Sequence, residues 1–111
     1  MTPPSKRRGD RAELEVQALL RDHLGVPARR SLGAGRKDDV GDIDGVPQLA
    51  VQVCNWANVA QAVRHKPVEA EQQRVNRCVP FAATFVRLRG GAWRVVLTPE
   101  QFFALYREAT A

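Results

Sequence analysis

The chain has 111 residues, 44% of them hydrophobic, enough for one modest core and too few for two domains. Its 17 Lys and Arg against 12 Asp and Glu leave a net charge of +5, which argues against an acidic small molecule as partner and for a polyanion. No apolar run approaches the roughly 20 residues that span a bilayer, the leading MTPPSKRR lacks the apolar centre of a signal peptide, and Cys54 and Cys78 have no Cys or His spacing suited to zinc. Membrane proteins, secreted disulfide scaffolds and zinc modules are set aside on these grounds. The expected setting is a reducing cytoplasm, with both thiols free and buried.

Residues 1 to 8 carry two prolines and three basic side chains and read as a flexible basic arm ahead of a single domain over 9 to 111. From Asp10 the periodicity becomes helical, with Ala12, Val16, Leu19, Leu20 and Leu24 on one stripe and Gly25 as the stop, predicting a helix over 11 to 24. The glycine- and aspartate-rich stretch that follows predicts a short strand near 28 to 32, a mobile loop over 33 to 39 and a strand at 40 to 44. Gly45-Val46-Pro47 turns the chain into the alternating run LAVQVC, a strand over 49 to 54 paired antiparallel to its predecessor.

Residues 56 to 77 suit helix, but Pro67 predicts a break, with one helix ending near His65 and a second starting at the proline. The runs 81 to 88 and 93 to 98 flank Gly90-Gly91 and read as a hairpin. Thr98-Pro99-Glu100-Gln101 is an N-cap, an N1 proline and a capping-box glutamine, opening a last helix that shows Phe102, Leu105 and Tyr106 to the core. The fold class is therefore α/β, in the order α-β-β-β-α-β-β-α, with a central mixed sheet flanked by helices.

Three segments hold groups suited to phosphodiester chemistry, which needs carboxylates to seat a hard divalent cation near the attacked phosphate. Glu13 lies on the first helix, Asp42 on the strand after the loop, and Gln52 and Cys54 on one face of the next strand. Each has a plainer reading. Asp10 and Glu13 form a capping box, Asp42 suits a turn, and Cys54 suits a core. Arg29, Arg30, Arg36 and Lys37 bracket the loop, where they either follow a phosphate backbone or simply keep the loop solvated.

The run G-D-R-A-E at 9 to 13, R-R-S at 29 to 31, G-D-I at 41 to 43 and the triplet at 52 to 54 together resemble the PD-(D/E)XK nucleases. Within them the pattern looks most like the archaeal-type Holliday junction resolvases and their phage relatives. The resemblance spans about residues 9 to 97 and rests on order and spacing rather than on any one motif. It implies a restriction-endonuclease-like fold, with Glu13, Asp42 and Gln52 as magnesium ligands and Arg30 and Ser31 at the scissile phosphate. The triplet departs twice from the family's Glu-X-Lys. Gln52 keeps a coordinating oxygen but not the charge, and Cys54 offers no cation to the transition state.

These departures imply weak magnesium binding and impaired or lost cleavage, with Lys66 as the one nearby replacement cation. The resemblance also implies branched or duplex DNA as partner and a homodimer, for which Trp56, Phe102 and Tyr106 are candidate contacts. With only Lys6, Lys37 and Lys66 as lysines and abundant Ala and Val, the composition looks like a GC-rich genome, such as that of an actinobacterium or its phages. A catalytically inactive binding or structural component, for example in a phage particle among phage structural proteins, is the competing expectation.

Overall fold

The structure, a computed structural model, describes residues 4–31 and 38–111, the Ser5 side chain excepted. Most of the expected loop at 33 to 39, with Arg36 and Lys37, lies outside the described residues.

The chain is α/β. Three helices, α1 (Pro4–Leu24), α2 (Val59–Arg77) and α3 (Pro99–Ala109), accompany five strands, β1 (Arg29–Arg30), β2 (Ile43–Asp44), β3 (Leu49–Cys54), β4 (Phe81–Arg87) and β5 (Trp93–Val96), among the described residues. The strands form one mixed sheet in the order β1-β2-β3-β4-β5. β1, β2 and β3 are an antiparallel meander, β3 and β4 are parallel, and β4 and β5 form the antiparallel hairpin. The α2 connection is what makes β3 and β4 parallel, because only a long crossover returns the chain to the same end of the sheet.

Alternation along β3 sends Leu49, Val51 and Val53 to one face and Ala50, Gln52 and Cys54 to the other. On the first face, Val16 and Leu20 of α1 pack with Ala28, Ile43, Val46 and Val51 in the main core. On the second, Ala62 and Ala70 of α2 pack against Cys54 with Val86 and against Ala50 with Ala82. β1 is kept from presenting a bare edge by α1: the Arg30 backbone N–H donates to Gln17 Oε1 at 2.9 Å.

Several elements differ from the sequence expectation. α1 begins at Pro4, not residue 11, so residues 4 to 8 are helical where a flexible arm is expected, and Asp10 lies inside the helix rather than capping it. Proline at a first helical position costs nothing there, and Gly9 weakens the helix without breaking it. Pro67 does not divide α2, which runs unbroken from Val59 to Arg77 with the proline buried. Burial along the whole length of the helix outweighs the roughly 3 kcal/mol that an interior proline costs.

β1 and β2 are two residues each, shorter than expected. Cys78 is exposed, not buried, and holds the left-handed cap of α2 at φ 61°. In α3 the Thr98 cap forms, its hydroxyl accepting from the Gln101 N–H at 3.2 Å. Phe102 and Tyr106, however, face outward, and the buried side chain is Gln101.

Candidate functional site

β2 is bracketed by two glycines that its placement demands. Gly45 has φ +85°, and a side chain there would collide with the Pro27 carbonyl. Gly41 has φ +101°, and a Cβ would lie 2.9 Å from the Val51 carbonyl oxygen. Between them the chain passes close along β3, the Asp42 N–H donating to Val51 O at 2.8 Å. Because the β2 ladder stops short of Val53, that N–H has no strand partner, and the Asp42 side chain supplies one: Val53 N donates to Asp42 Oδ2 at 2.8 Å. Asp42 is thereby fixed beside the Gln52-Val53-Cys54 triplet.

The C-terminal half of α2 holds this segment in place. Gln73 Nε2 donates to Asp39 Oδ2, Asn76 Nδ2 to the Asp39 carbonyl and Arg77 Nε to the Val40 carbonyl, each at 2.8 Å. Arg77 also reaches Asp44 Oδ1 at 2.7 Å. Gln73 Oε1 is buried without a partner among the described residues. Sequence reasoning missed this clamp. Its one trace is the spacing of Ala70, Gln73 and Arg77 along a helix face, and polar residues at such positions look like solvated ones.

Asp42 pays for its position in proton affinity. Burial pushes its carboxyl up from 3.8 to about 6, and Glu13 and Asp39 push the same way, against the Val53 N–H and Lys66. Glu13 therefore lies near enough to act on Asp42, as the sequence pattern requires, but it is not free. Arg30 Nε donates to Glu13 Oε1 at 3.0 Å, and Arg30 Nη2 to Asp10 Oδ1 at 2.7 Å. This carboxylate–arginine cluster joins α1 to β1 and occupies the guanidinium that the resemblance assigns to phosphate. Arg29, next to it, is exposed, and the Ser31 N–H donates to the Asp42 carbonyl at 2.8 Å.

Gln52 and Cys54 point the other way, under α2. Gln52 is 4% exposed, and its Oε1 accepts from Thr84 Oγ1 at 3.4 Å, the residue in register with it on β4. Cys54 packs with Ala62 and Val86, and burial raises its thiol so that it stays neutral. Lys66, a turn after Ala62 on α2, places its ammonium 4.7 Å from the Trp56 ring centroid and 3.0 Å from Glu69 Oε2. A cleft of about 450 Å³ opens beside the end of β3, lined among others by Arg8, Val53, Cys54, Trp56, Asn58 and Lys66.

Magnesium needs hard oxygens converging on one point. Here Glu13 is turned to Arg30, Asp42 to a backbone N–H, and Gln52 to a threonine, so the residues present do not form a ready-made metal centre. Among the described residues no three His, Cys, Asp or Glu side chains group closely enough to hold an ion. No described helix is long and apolar enough to cross a membrane. Set against known proteins, the chain matches no family model, no curated protein and no solved structure.

Proposed function

We propose that the chain is a DNA-binding protein of the Holliday junction resolvase type on a nuclease-like fold, with magnesium-dependent cleavage weakened or lost. The observation that carries the reading is Asp42, kept beside the Gln52-Val53-Cys54 strand at a position where burial raises its carboxyl to about 6. A carboxylate held beside a strand at a cost to the fold is a candidate functional group. The element order and the nearness of Glu13 support the same ancestry.

Loss of cleavage follows from what surrounds these groups. Gln52 and Cys54 provide neither charge nor exposure, and Arg30 neutralises Glu13. Magnesium would have to displace Arg30 from Glu13, so it binds weakly. Removing a charge contact from a phosphoryl transition state costs on the order of 3 kcal/mol, about a hundredfold in rate. What survives is the basic surface. Arg29 is exposed, and Arg8 lines the cleft beside β3, where both offer charge to a phosphate backbone without reading bases.

The second reading, a scaffold in a phage particle that binds protein rather than DNA, draws on the same Arg30–Glu13 pair, which makes the former catalytic corner a structural joint. Anisotropy titrations on four-way junctions and on duplex, at rising salt, decide between them, with cleavage followed on the same substrates with and without magnesium. The proposed function expects binding that falls steeply with salt, weakens for Arg29→Ala on all sequences alike, and produces no cut strands. Absence of binding at low salt favours the scaffold. Robust cleavage abolished by Asp42→Asn would show that the chain is an active nuclease after all.

A further inference from the structure

β3 and β4 are parallel, with Cys54 opposite Val86, so their carboxyl ends finish side by side. In open α/β sheets that end is where ligands gather. Arg87, the last residue of β4, falls on the face that α1 covers, two residues on from Phe85 of the main core. Arg8, Arg11 and Glu15 come from one stripe of α1, three and four residues apart. Ala12, buried among them, lets the helix approach the sheet closely. With Asn55, just past the end of β3, these residues line a pocket of about 140 Å³.

Charge and size decide what suits it. Three guanidinium groups against one carboxylate leave a net charge of +2 at its walls. Glu15 Oε2 accepts from Arg87 Nε at 3.2 Å, and a Cβ on Gly91 in the β4–β5 turn would lie 3.1 Å from Arg87 Nη2. That guanidinium is thus held from two sides before any ligand arrives. Among the described residues no carboxylate pairs with Arg8 or Arg11. The pocket is far below the roughly 300 Å³ at which pockets for whole organic ligands begin, and it suits a small oxyanion gripped by planar forks. A backbone phosphodiester carries one negative charge and leaves part of the pocket's charge unanswered. A phosphomonoester carries nearly two at neutral pH and matches it.

The pocket adjoins the cleft of about 450 Å³ and shares Arg8 and Asn55 with it. The cleft is of organic-ligand size, and its wall includes Trp56, 43% exposed, a surface on which a base stacks without being read. We infer that Arg8, Arg11 and Arg87 seat the dianionic phosphate of a nucleoside monophosphate whose nucleoside lies in the cleft, either as a free nucleotide or as the phosphorylated end of a strand. The strand-end source rests on the proposed nucleic-acid surface, whereas the free nucleotide requires no DNA binding.

Isothermal titration of the full chain with AMP, adenosine, inorganic phosphate and 3′,5′-cyclic AMP tests it. AMP is expected to bind at least tenfold more tightly than inorganic phosphate, which leaves the cleft empty, and than cyclic AMP, a diester with one charge. Adenosine should not bind measurably. Arg11→Ala, at an exposed helix position outside the cleft lining, should weaken AMP about tenfold. Arg107→Ala removes the same charge from α3, which lines neither cavity, and should leave AMP affinity unchanged. Circular dichroism accompanies both variants. No AMP binding, or equal binding of AMP and cyclic AMP, overturns the phosphate seat; equal binding of AMP and inorganic phosphate overturns the place of the nucleoside. Anisotropy with one oligonucleotide, its ends phosphorylated or hydroxyl, separates the sources: about tenfold tighter binding of the phosphorylated form identifies strand ends, and AMP binding without that difference identifies the free nucleotide. Duplex binding without AMP binding sinks the seat and leaves the proposed function standing, and AMP binding without duplex binding does the reverse.

Discussion

On the face of the sheet that α1 covers, Val16, Leu20, Ile43 and Val51 interlock as branched aliphatic side chains; on the face that α2 covers, Ala50, Ala62, Ala70 and Ala82 stand in their place. The first face is held by volume, the second by nearness. Where α2 approaches so closely, a glutamate and a lysine at 52 and 54 would be enclosed among alanines and valines with little water to hold their charge. The neutral Gln52–Thr84 pair and the Cys54 thiol satisfy that enclosure. The neutral side chains of β3 and the alanine lining of α2 are thus one adaptation seen from two sides, and the Asp42 carboxylate, acted on by Glu13 of α1 and Lys66 of α2 together, lies where the two faces meet.

The contrast breaks first at Ile43. Ile43→Ala removes one of the largest fully buried side chains and should cost about 4 kcal/mol in urea unfolding, with the α1 face unable to close over the gap. A loss below ~1 kcal/mol would mean that volume does not hold that face. Next comes Asp42. A folded value of about 6 against 3.8 makes the ionised carboxylate a burden of about 3 kcal/mol at neutral pH.

Because the folded value is the higher one, that burden is absent below pH 3.8, grows between 3.8 and about 6, and is complete above. Asp42→Asn, whose amide oxygen still accepts from Val53, should therefore stabilise the protein at pH 7.5 by up to about 3 kcal/mol and leave it unchanged near pH 4. Paired urea titrations at the two pH values read this directly, and equal effects at both would remove the burial argument.

On the α2 face the sign of the volume test reverses. Ala70→Leu should cost about 2 kcal/mol by overpacking, seen as a lower melting temperature, where the same enlargement on a loosely packed face would be neutral. The smallest effect sharpens the polar pair. Thr84→Val should cost about 1 kcal/mol by stranding the Gln52 carbonyl, and Gln52→Leu added to it should recover most of that loss in a double-mutant cycle.

β3 was legible in the sequence to the residue, because strict alternation over 49 to 54 leaves one register that buries both faces. The start of α1 was not, since Pro4 and Gly9 look like breakers until the stripe of Ala12, Val16 and Leu20 is seen to anchor the helix on a sheet. Pro67 misled for the same reason: propensity is local, and burial decides between its options. At the site, Asp42 and the strand triplet could be placed side by side from turn lengths alone. Arg30 could not be assigned to Glu13, 17 residues away, nor Gln73 to Asp39, 34 away, because such pairs are fixed by the angle between a helix and a sheet. The outward turn of Phe102 and Tyr106 was not legible because an amphipathic helix read alone does not say which of its faces meets the sheet.

Gln101 joins α3 to two other elements at once, its Oε1 accepting from the Ala82 N–H at 3.1 Å and its Nε2 reaching Glu71 Oε1 at 3.1 Å. A helix moored by an amide rather than by a leucine has little greasy surface to withdraw from water when it lifts, so its detachment is cheap compared with unravelling the sheet. Deuterium should accordingly enter the backbone of α3 well before that of β3 or β4, and Ala82, whose N–H lies under the mooring, should exchange in step with the helix instead of with its own strand. Peptide-resolved exchange mass spectrometry would show the C-terminal segment coming loose as a unit while the five-stranded body keeps its protons.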